Sequence, residues 1–313
     1  MIKNIVITGG LGFIGTKLIE KIKEKYAITI LDNSKYINKF KNVKFYKCDL
    51  TNYKSLKKIK LKNIDCIIHL AGQSSGPRSF HIPEKDLNLN LISTINITKF
   101  AKQIKTNKII FASTFTVYGD SKKEKLSEIE KCDPKSFYAI SKYASEKYLI
   151  NLCIKHKINW NILRFFNVYG PGQDLSRKDQ GIVSIFLDIL RNKNDISVNG
   201  SLKRFRDLVY IDDVIQALTL TIKDKQNKNQ IYNVGTGKKT SIQKLLIEIS
   251  KIYNKQNKIR IKVSNKTPGD IMGCYANINK IKKDLKYKPR INLNKGLKLF
   301  SEWAEKHYYS NKF

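Results

Sequence analysis

Two side chains four residues apart can do acid–base chemistry: the phenol of Tyr138 and the ammonium of Lys142, in S-F-Y-A-I-S-K at 136–142. On a helix, residues at this spacing lie on one face, a turn apart. A nearby positive charge favours a phenolate, so Lys142 is expected to draw the Tyr138 pKa down from about 10. The spacing alone is common, because an exposed Lys and a packed Tyr give the same pattern. It becomes an active-site signature only if other segments deliver a nucleotide site, a hydroxyl partner and a substrate clamp.

The elements that must position this pair are legible in the first half. Ile2–Thr8 is short, apolar and β-branched, and reads as a buried strand. Gly9-Gly10-Leu11-Gly12-Phe13-Ile14-Gly15 follows, then an amphipathic helix to about Lys25. Glycines there allow a tight turn, close approach to a pyrophosphate and packing of helix on strand, while the helix N-terminus offers free N–H groups. The second strand, Ala27–Leu31, ends at Asp32, about 20 residues past Gly12, where a carboxylate accepts ribose hydroxyls. An acid at that place repels a 2′-phosphate, which favours NAD over NADP.

Further strands are expected at Val43–Lys47, Ile64–Leu70 and Lys108–Ala112. Asp49 follows the first of these, suited to an adenine contact or a helix cap. Ala71-Gly72 follows the second as a small-residue turn, and His69 reads as a packed strand residue. A long helix is expected over 84–105; by pattern alone, Asn90 within it would face solvent. Thr114 follows the third strand, at the carboxyl end of the sheet where open parallel sheets bind ligands. Asp133-Pro134 starts a turn, Ser136 can cap, and the helix with Tyr138 and Lys142 runs to about His156. The βαβ alternation implies a doubly wound parallel α/β sheet of the Rossmann type.

Composition narrows the classes. The chain has 313 residues, 41% hydrophobic, enough for one large α/β domain or two unequal lobes. No apolar run reaches roughly 18 residues and no signal-peptide pattern opens the chain, so no membrane association is expected. Five cysteines without C-x-x-C spacing suit reduced thiols in a cytoplasmic protein. Four scattered histidines offer no metal centre. The net charge of +34 raises the question of nucleic acid, but the lysines are spread along the whole chain without a dense basic block. No nucleic-acid partner is expected.

Taken together, these motifs resemble the extended short-chain dehydrogenase/reductases, and within them the NAD-dependent nucleotide-sugar epimerase and dehydratase family. The matching pieces span nearly the whole chain in family order: T-G-G-L-G-F-I-G at 8–15, Asp32, C-D-L at 48–50, H-L-A-G at 69–72, S-T-F-T-V-Y-G at 113–119, Y-A-I-S-K at 138–142, R-F-F-N-V-Y-G-P-G at 164–172, R-D-L-V-Y-I-D-D-V at 206–214 and Y-N-V-G-T-G at 232–237. The resemblance implies that Tyr138 is the catalytic base. Lys142 then binds the nicotinamide ribose and tunes Tyr138, and Thr114 contacts the sugar. It assigns NAD binding to Gly9, Gly12, Phe13, Ile14, Gly15, Asp32, Asn33, Asp49, Leu50, Ala71, Gly72, Asn90 and Ser113, besides Tyr138 and Lys142. Substrate contacts fall to Thr114, Thr116, Asn167, Arg206, Asp270 and Cys274. Arg206 would clamp the diphosphate; Arg204 is a second clamp or a surface residue. Many relatives carry Arg where Thr267 stands, so either Lys266 or Arg260 compensates or the diphosphate is held with one cation fewer. Cys274 takes a position where a small residue admits an N-acetyl group on the sugar.

The resemblance also narrows the reaction. Family 4,6-dehydratases place an acid pair or similar after the Thr, whereas Phe115-Thr116 can act as neither acid nor base. C4 epimerisation of a UDP-hexose or UDP-N-acetylhexosamine through a 4-keto sugar is therefore expected. A reductase, an epimerase at another carbon and a non-catalytic nucleotide-binding protein are the alternatives. The NAD-binding domain is expected at 1–167 plus about 205–232, with Asp207–Ile211 as a strand returning to the main sheet. A smaller mixed α/β lobe for the nucleotide sugar is expected at about 168–204 plus 233–313, and the resemblance implies a homodimer paired through the helices at about 84–105 and 136–156.

Overall fold

The computed structural model describes residues 2–35, 40–224, 226, 228–264 and 271–310. Seven strands form the central sheet: β1 (Asn4–Thr8), β2 (Ala27–Asp32), β3 (Lys44–Lys47), β4 (Cys66–His69), β5 (Lys108–Thr114), β7 (Asn159–Phe165) and β12 (Gln230–Val234). Their order is β12-β7-β5-β4-β1-β2-β3, and every neighbouring pair runs parallel. Parallel strands need crossovers, so helices cover both faces. The helices in chain order are α1 (Phe13–Ile22), α2 (Tyr53–Lys57), α3 (Gly76–His81), α4 (Pro83–Leu87), α5 (Ser93–Gln103), α6 (Phe137–His156), α7 (Ile182–Asn192), α8 (Ile211–Lys223), α9 (Ile242–Ile252), α10 (Asn279–Leu285) and α11 (Leu293–Ala304).

Alternation along β1 shows how the sheet is clad. Ile5 and Ile7 join Leu18, Ile19 and Ile22 of α1 and Val214 and Leu218 of α8 on one face. Val6 joins Ile97 and Phe100 of α5 and Leu149 of α6 on the other. All eleven side chains are completely or almost completely buried, each stabilising the fold by about 1.5–3 kcal/mol before chain entropy is counted. The chain crosses from one side of β1 to the other between β3 and β4. That topological switch opens the crevice at the carboxyl ends of β1 and β4.

A second, smaller sheet has the order β13-β10-β15-β6, from β6 (Lys125–Leu126), β10 (Phe205–Arg206), β13 (Thr240–Ser241) and β15 (Gly273–Ala276). Among the described residues two further strand pairs form: β8 (Asn167–Tyr169) with β11 (Leu208–Tyr210), and β9 (Asp195–Asn199) with β14 (Arg260–Ser264).

Two expectations are corrected. The strand expected at Asp207–Ile211 does not return to the main sheet. As β11 it pairs with β8, and only β12 from this region joins the seven strands. The helix expected over 84–105 is interrupted. Between α4 and α5, Asn88–Ile92 widens into a π-helical turn. There Ser93 and Thr94 hydroxyls bond back to the carbonyls of Leu89 and Asn90, and the wider turn carries Asn90 inward until it is 1% exposed.

Candidate active site

The glycine loop leaves no room for side chains. Gly9 has φ +67°, and a Cβ there would lie 2.7 Å from the Ala71 nitrogen. A Cβ on Gly15 would meet the Gly9 carbonyl and sit 2.7 Å from the Gly10 Cα. The start of α1 is thus drawn against the loop, with Phe13 and Ile14 half-buried beside it. No side chain caps α1 at Gly12, so its first N–H groups face the crevice as an anion site.

Asp32 is 7% exposed at the end of β2. Its Oδ2 accepts from the Leu11 N–H at 3.0 Å and its Oδ1 from the Ser34 N–H at 2.9 Å. Each oxygen keeps a lone pair for a ribose hydroxyl. Asn33 follows, exposed. Asp49 is exposed too, and closes a turn by accepting from the Thr51 N–H and hydroxyl at 2.9 and 2.8 Å. Buried Leu50 accepts on its carbonyl from Asn96 at 2.9 Å.

Asn90 donates from Nδ2 to the Ser141 hydroxyl at 3.0 Å. Its Oδ1 is buried without a partner, 2.5 Å from where a Gly72 Cβ would stand. A buried acceptor left unpaired costs about 1–3 kcal/mol. This orphaned oxygen, the close-packed glycine loop and the half-used Asp32 carboxylate fit a dinucleotide. His69, as expected, is a packed strand residue. It lies between the hydroxyls of Thr8 (2.7 Å) and Thr94 (3.1 Å), and burial pushes its pKa down to about 3.

The Ser136 hydroxyl caps α6 by accepting from the Ala139 N–H at 3.2 Å. Tyr138, Lys142 and Thr114 are all nine-tenths or more buried and come together at the end of β5. Thr114 hydrogen-bonds the Tyr138 phenol and shares a 3.0 Å bond with the Thr116 hydroxyl. Lys142 does not lower the Tyr138 pKa as expected. Burial pushes the phenol up to about 12; the Thr114 bond pulls it down and the Asp86 charge pushes it further up. The Lys142 ammonium lies 4.2 Å from the Phe111 ring centroid, where burial brings its own pKa to about 8.

Ser113 turns its hydroxyl inward to Glu146 at 2.5 Å. Glu146 also receives Arg164 bidentately, at 3.0 and 2.7 Å, and the guanidinium rests 4.8 Å over Tyr118. Sequence reasoning missed Glu146. Its signal was there: it falls one helical turn after Lys142, on the same face. Asp86 and Ser141 were missed too, and carry more below.

On the substrate side Phe115 stacks on Phe166 at 5.2 Å. Asn167 keeps a buried Oδ1 without a partner. Arg206 is 7% exposed and donates to the carbonyls of Phe205 (2.7 Å) and Ile271 (3.2 Å). Burial and the nearby Arg204 charge bring its pKa down to about 10. Arg204 is buried as well, which excludes the surface reading. Cys274 faces Arg206 across the β10–β15 ladder, 2% exposed, its thiol pushed up to about 12 by burial. Arg260 pairs with Asp195 at 2.5 and 2.8 Å. Asp270, Lys266 and Thr267 lie outside the described residues.

Asp207, also missed, joins these pieces. Its carboxylate accepts from the N–H groups of Thr236, Gly237 and Ala276 and from the Thr236 hydroxyl, at 2.6–3.1 Å. Between the loop after β4 and α4 lies a cleft of about 180 Å³, lined by Gly72, Gln73, Ser74, Arg78, Lys85, Asp86 and Arg177 among others. Among the described residues no His/Cys/Asp/Glu group could hold a metal, and no helix is long and apolar enough to cross a membrane.

The fold and these motifs have close counterparts. The UDP-glucose 4-epimerase of Thermotoga maritima, determined with UDP-glucose, superposes with a TM-score of 0.89 at 30% identity, covering 97% of this chain and 99% of its own. A UDP-N-acetylglucosamine 4-epimerase from Methanobrevibacter ruminantium, in complex with UDP-N-acetylmuramic acid, also gives 0.89, at 29% identity and the same coverage. The UDP-glucuronate 4-epimerase of Thermodesulfobacterium geofontis is 28% identical over 96% of both chains. Residues 5–235, from β1 through β12, match the model of the NAD dependent epimerase/dehydratase family. With that model matching well over half of its length, the chain belongs to the NAD dependent epimerase/dehydratase family, whose cofactor is NAD.

Proposed function

We propose that this protein is an NAD-dependent nucleotide-sugar 4-epimerase acting on a UDP-hexose or UDP-N-acetylhexosamine. The observation that carries the reading is the buried Thr114–Tyr138 hydroxyl pair beside Lys142, with the aromatic Phe115–Phe166 stack where an eliminating enzyme needs an acid. Gly9, Gly12, Gly15, Asp32 and Asn90 hold the dinucleotide. Bound NAD supplies the hydride acceptor and donor at the sugar's C4. Tyr138 takes the C4 hydroxyl proton, directly or through Thr114, and gives it back to the epimer. Thr114's hydrogen bond favours the phenolate. Arg206 and Asn167 hold the diphosphate and sugar while the small Cys274 leaves space at the sugar's C2. We place the protein in the cytoplasm, where its five free cysteines would stay reduced.

The test is Tyr138→Phe with a panel of UDP-glucose, UDP-N-acetylglucosamine and UDP-glucuronate, read by proton NMR. Epimer should form in the wild type with no net change in reduced-cofactor absorbance. The variant should lose about 10²–10⁴-fold in kcat while binding the sugar nucleotide nearly unchanged. Equal turnover in the variant removes Tyr138 as the base; stoichiometric loss of reduced cofactor makes the enzyme a reductase.

The exposed residues Phe137, Ile140 and Tyr148 form one stripe on α6, and Leu87 is exposed on α4. A helix apolar on its outer face needs cover. We infer a homodimer formed through α6 and the helical run 84–105 that begins with α4.

A further inference from the structure

Asp86 is 1% exposed, on a helix no acid–base motif marked. One carboxylate oxygen accepts from the Ser141 hydroxyl at 2.5 Å and the other from Gln73 Nε2 at 2.6 Å. Ser141 in turn accepts from Asn90 at 3.0 Å. Gln73 also donates to the Ser75 carbonyl at 2.8 Å. One carboxylate thus ties the loop after β4, the π-helical turn and α6, which together carry the site.

Its charge has a second consequence. A buried ammonium such as Lys142 needs a counter-charge. Two buried carboxylates act on it, Glu146 and Asp86. Glu146 is already matched by Arg164. The hydrogen-bond donors on Asp86 are neutral. The other groups around the pair are the Thr114 and Tyr138 hydroxyls, neutral His69, and Arg78, Lys85 and Arg177 at the cleft.

Building on the epimerase reading, we propose that Asp86 is a positioning residue: it locks Ser141, Asn90 and Gln73 in place and supplies the negative charge that balances Lys142.

The test compares wild type, Asp86→Asn and Asp86→Glu, each as full-length protein with NAD. The Lys142 ammonium is titrated by NMR of its ε-carbon, assigned as the signal lost in Lys142→Met. Asp86→Asn should move the midpoint to lower pH by about one unit, and Asp86→Glu should restore it. The alkaline limb of kcat/KM should move by the same amount. A purely structural role would lower stability and leave the midpoint in place; an unmoved midpoint in folded Asp86→Asn overturns the proposal. If Asn is not tolerated, Asp86→Ser carries the same prediction. Should the wild type turn over no sugar nucleotide, the epimerase reading fails, while the Lys142 titration still decides the role of Asp86.

Discussion

The Glu146–Arg164 pair offers a thermodynamic cycle whose outcome follows from its burial. The side chains are 1% and 3% exposed. Both carboxylate oxygens are engaged by the guanidinium, and Ser113 adds a third bond. In Arg164→Met the carboxylate stays buried with Ser113 as its remaining donor. In Glu146→Met the guanidinium stays buried over Tyr118, with the Glu128 carbonyl at 3.5 Å. Each single change strands a charge and should cost about 3–5 kcal/mol. The double variant buries two thioethers of comparable length and strands no charge. What it loses is chiefly the Ser113 bond, about 1 kcal/mol. The double loss should therefore fall short of the sum of the singles by at least about 3 kcal/mol. Urea unfolding followed by far-ultraviolet circular dichroism measures all four corners, with equal m-values as the condition for comparison. Additive losses would refute the claim that burial, not the ion pair as such, sets the cost.

Two further outcomes follow from the geometry. His69 titrates at about 3 when folded against 6.5 unfolded, so the unfolded chain binds the extra proton between those values. Stability should then fall by about 1.4 kcal/mol for each pH unit from 6.5 down to about 3, and no further below that. His69→Gln, compared at neutral pH and about pH 5 by urea midpoint, should lose less on acidification than the wild type; an equal loss removes His69 as the cause. The α6 stripe predicts a dimer by sedimentation equilibrium and its dissociation in Ile140→Asp. A monomeric wild type would leave that face without the proposed partner.

The motifs legible in the sequence are those whose chemistry is local. A glycine that must sit against a neighbouring backbone tolerates no other residue, so G-G-L-G-F-I-G marks its own turn. Asp32 ends its strand at a fixed distance from that loop, and Ser136 caps the helix that sets Tyr138 and Lys142 on one face. Strand and helix rhythm placed the first five of the seven parallel strands, where crossover helices alternate regularly with strands; β7 and β12, which close the sheet on one side, were not read. What stayed hidden depends on partners far apart in the chain. Asp86 meets Ser141 across 55 positions and Ser113 meets Glu146 across 33. Asp207 gathers Thr236 and Ala276 from 29 and 69 positions away. The departure of β11 from the main sheet and the π-helical turn that buries Asn90 belong to the same class. A spacing of four brought Tyr138 and Lys142 to one face, but their acidities were decided by the packing around them. Desolvation and long-range charge are properties of the assembled interior, and the tertiary structure alone sets them.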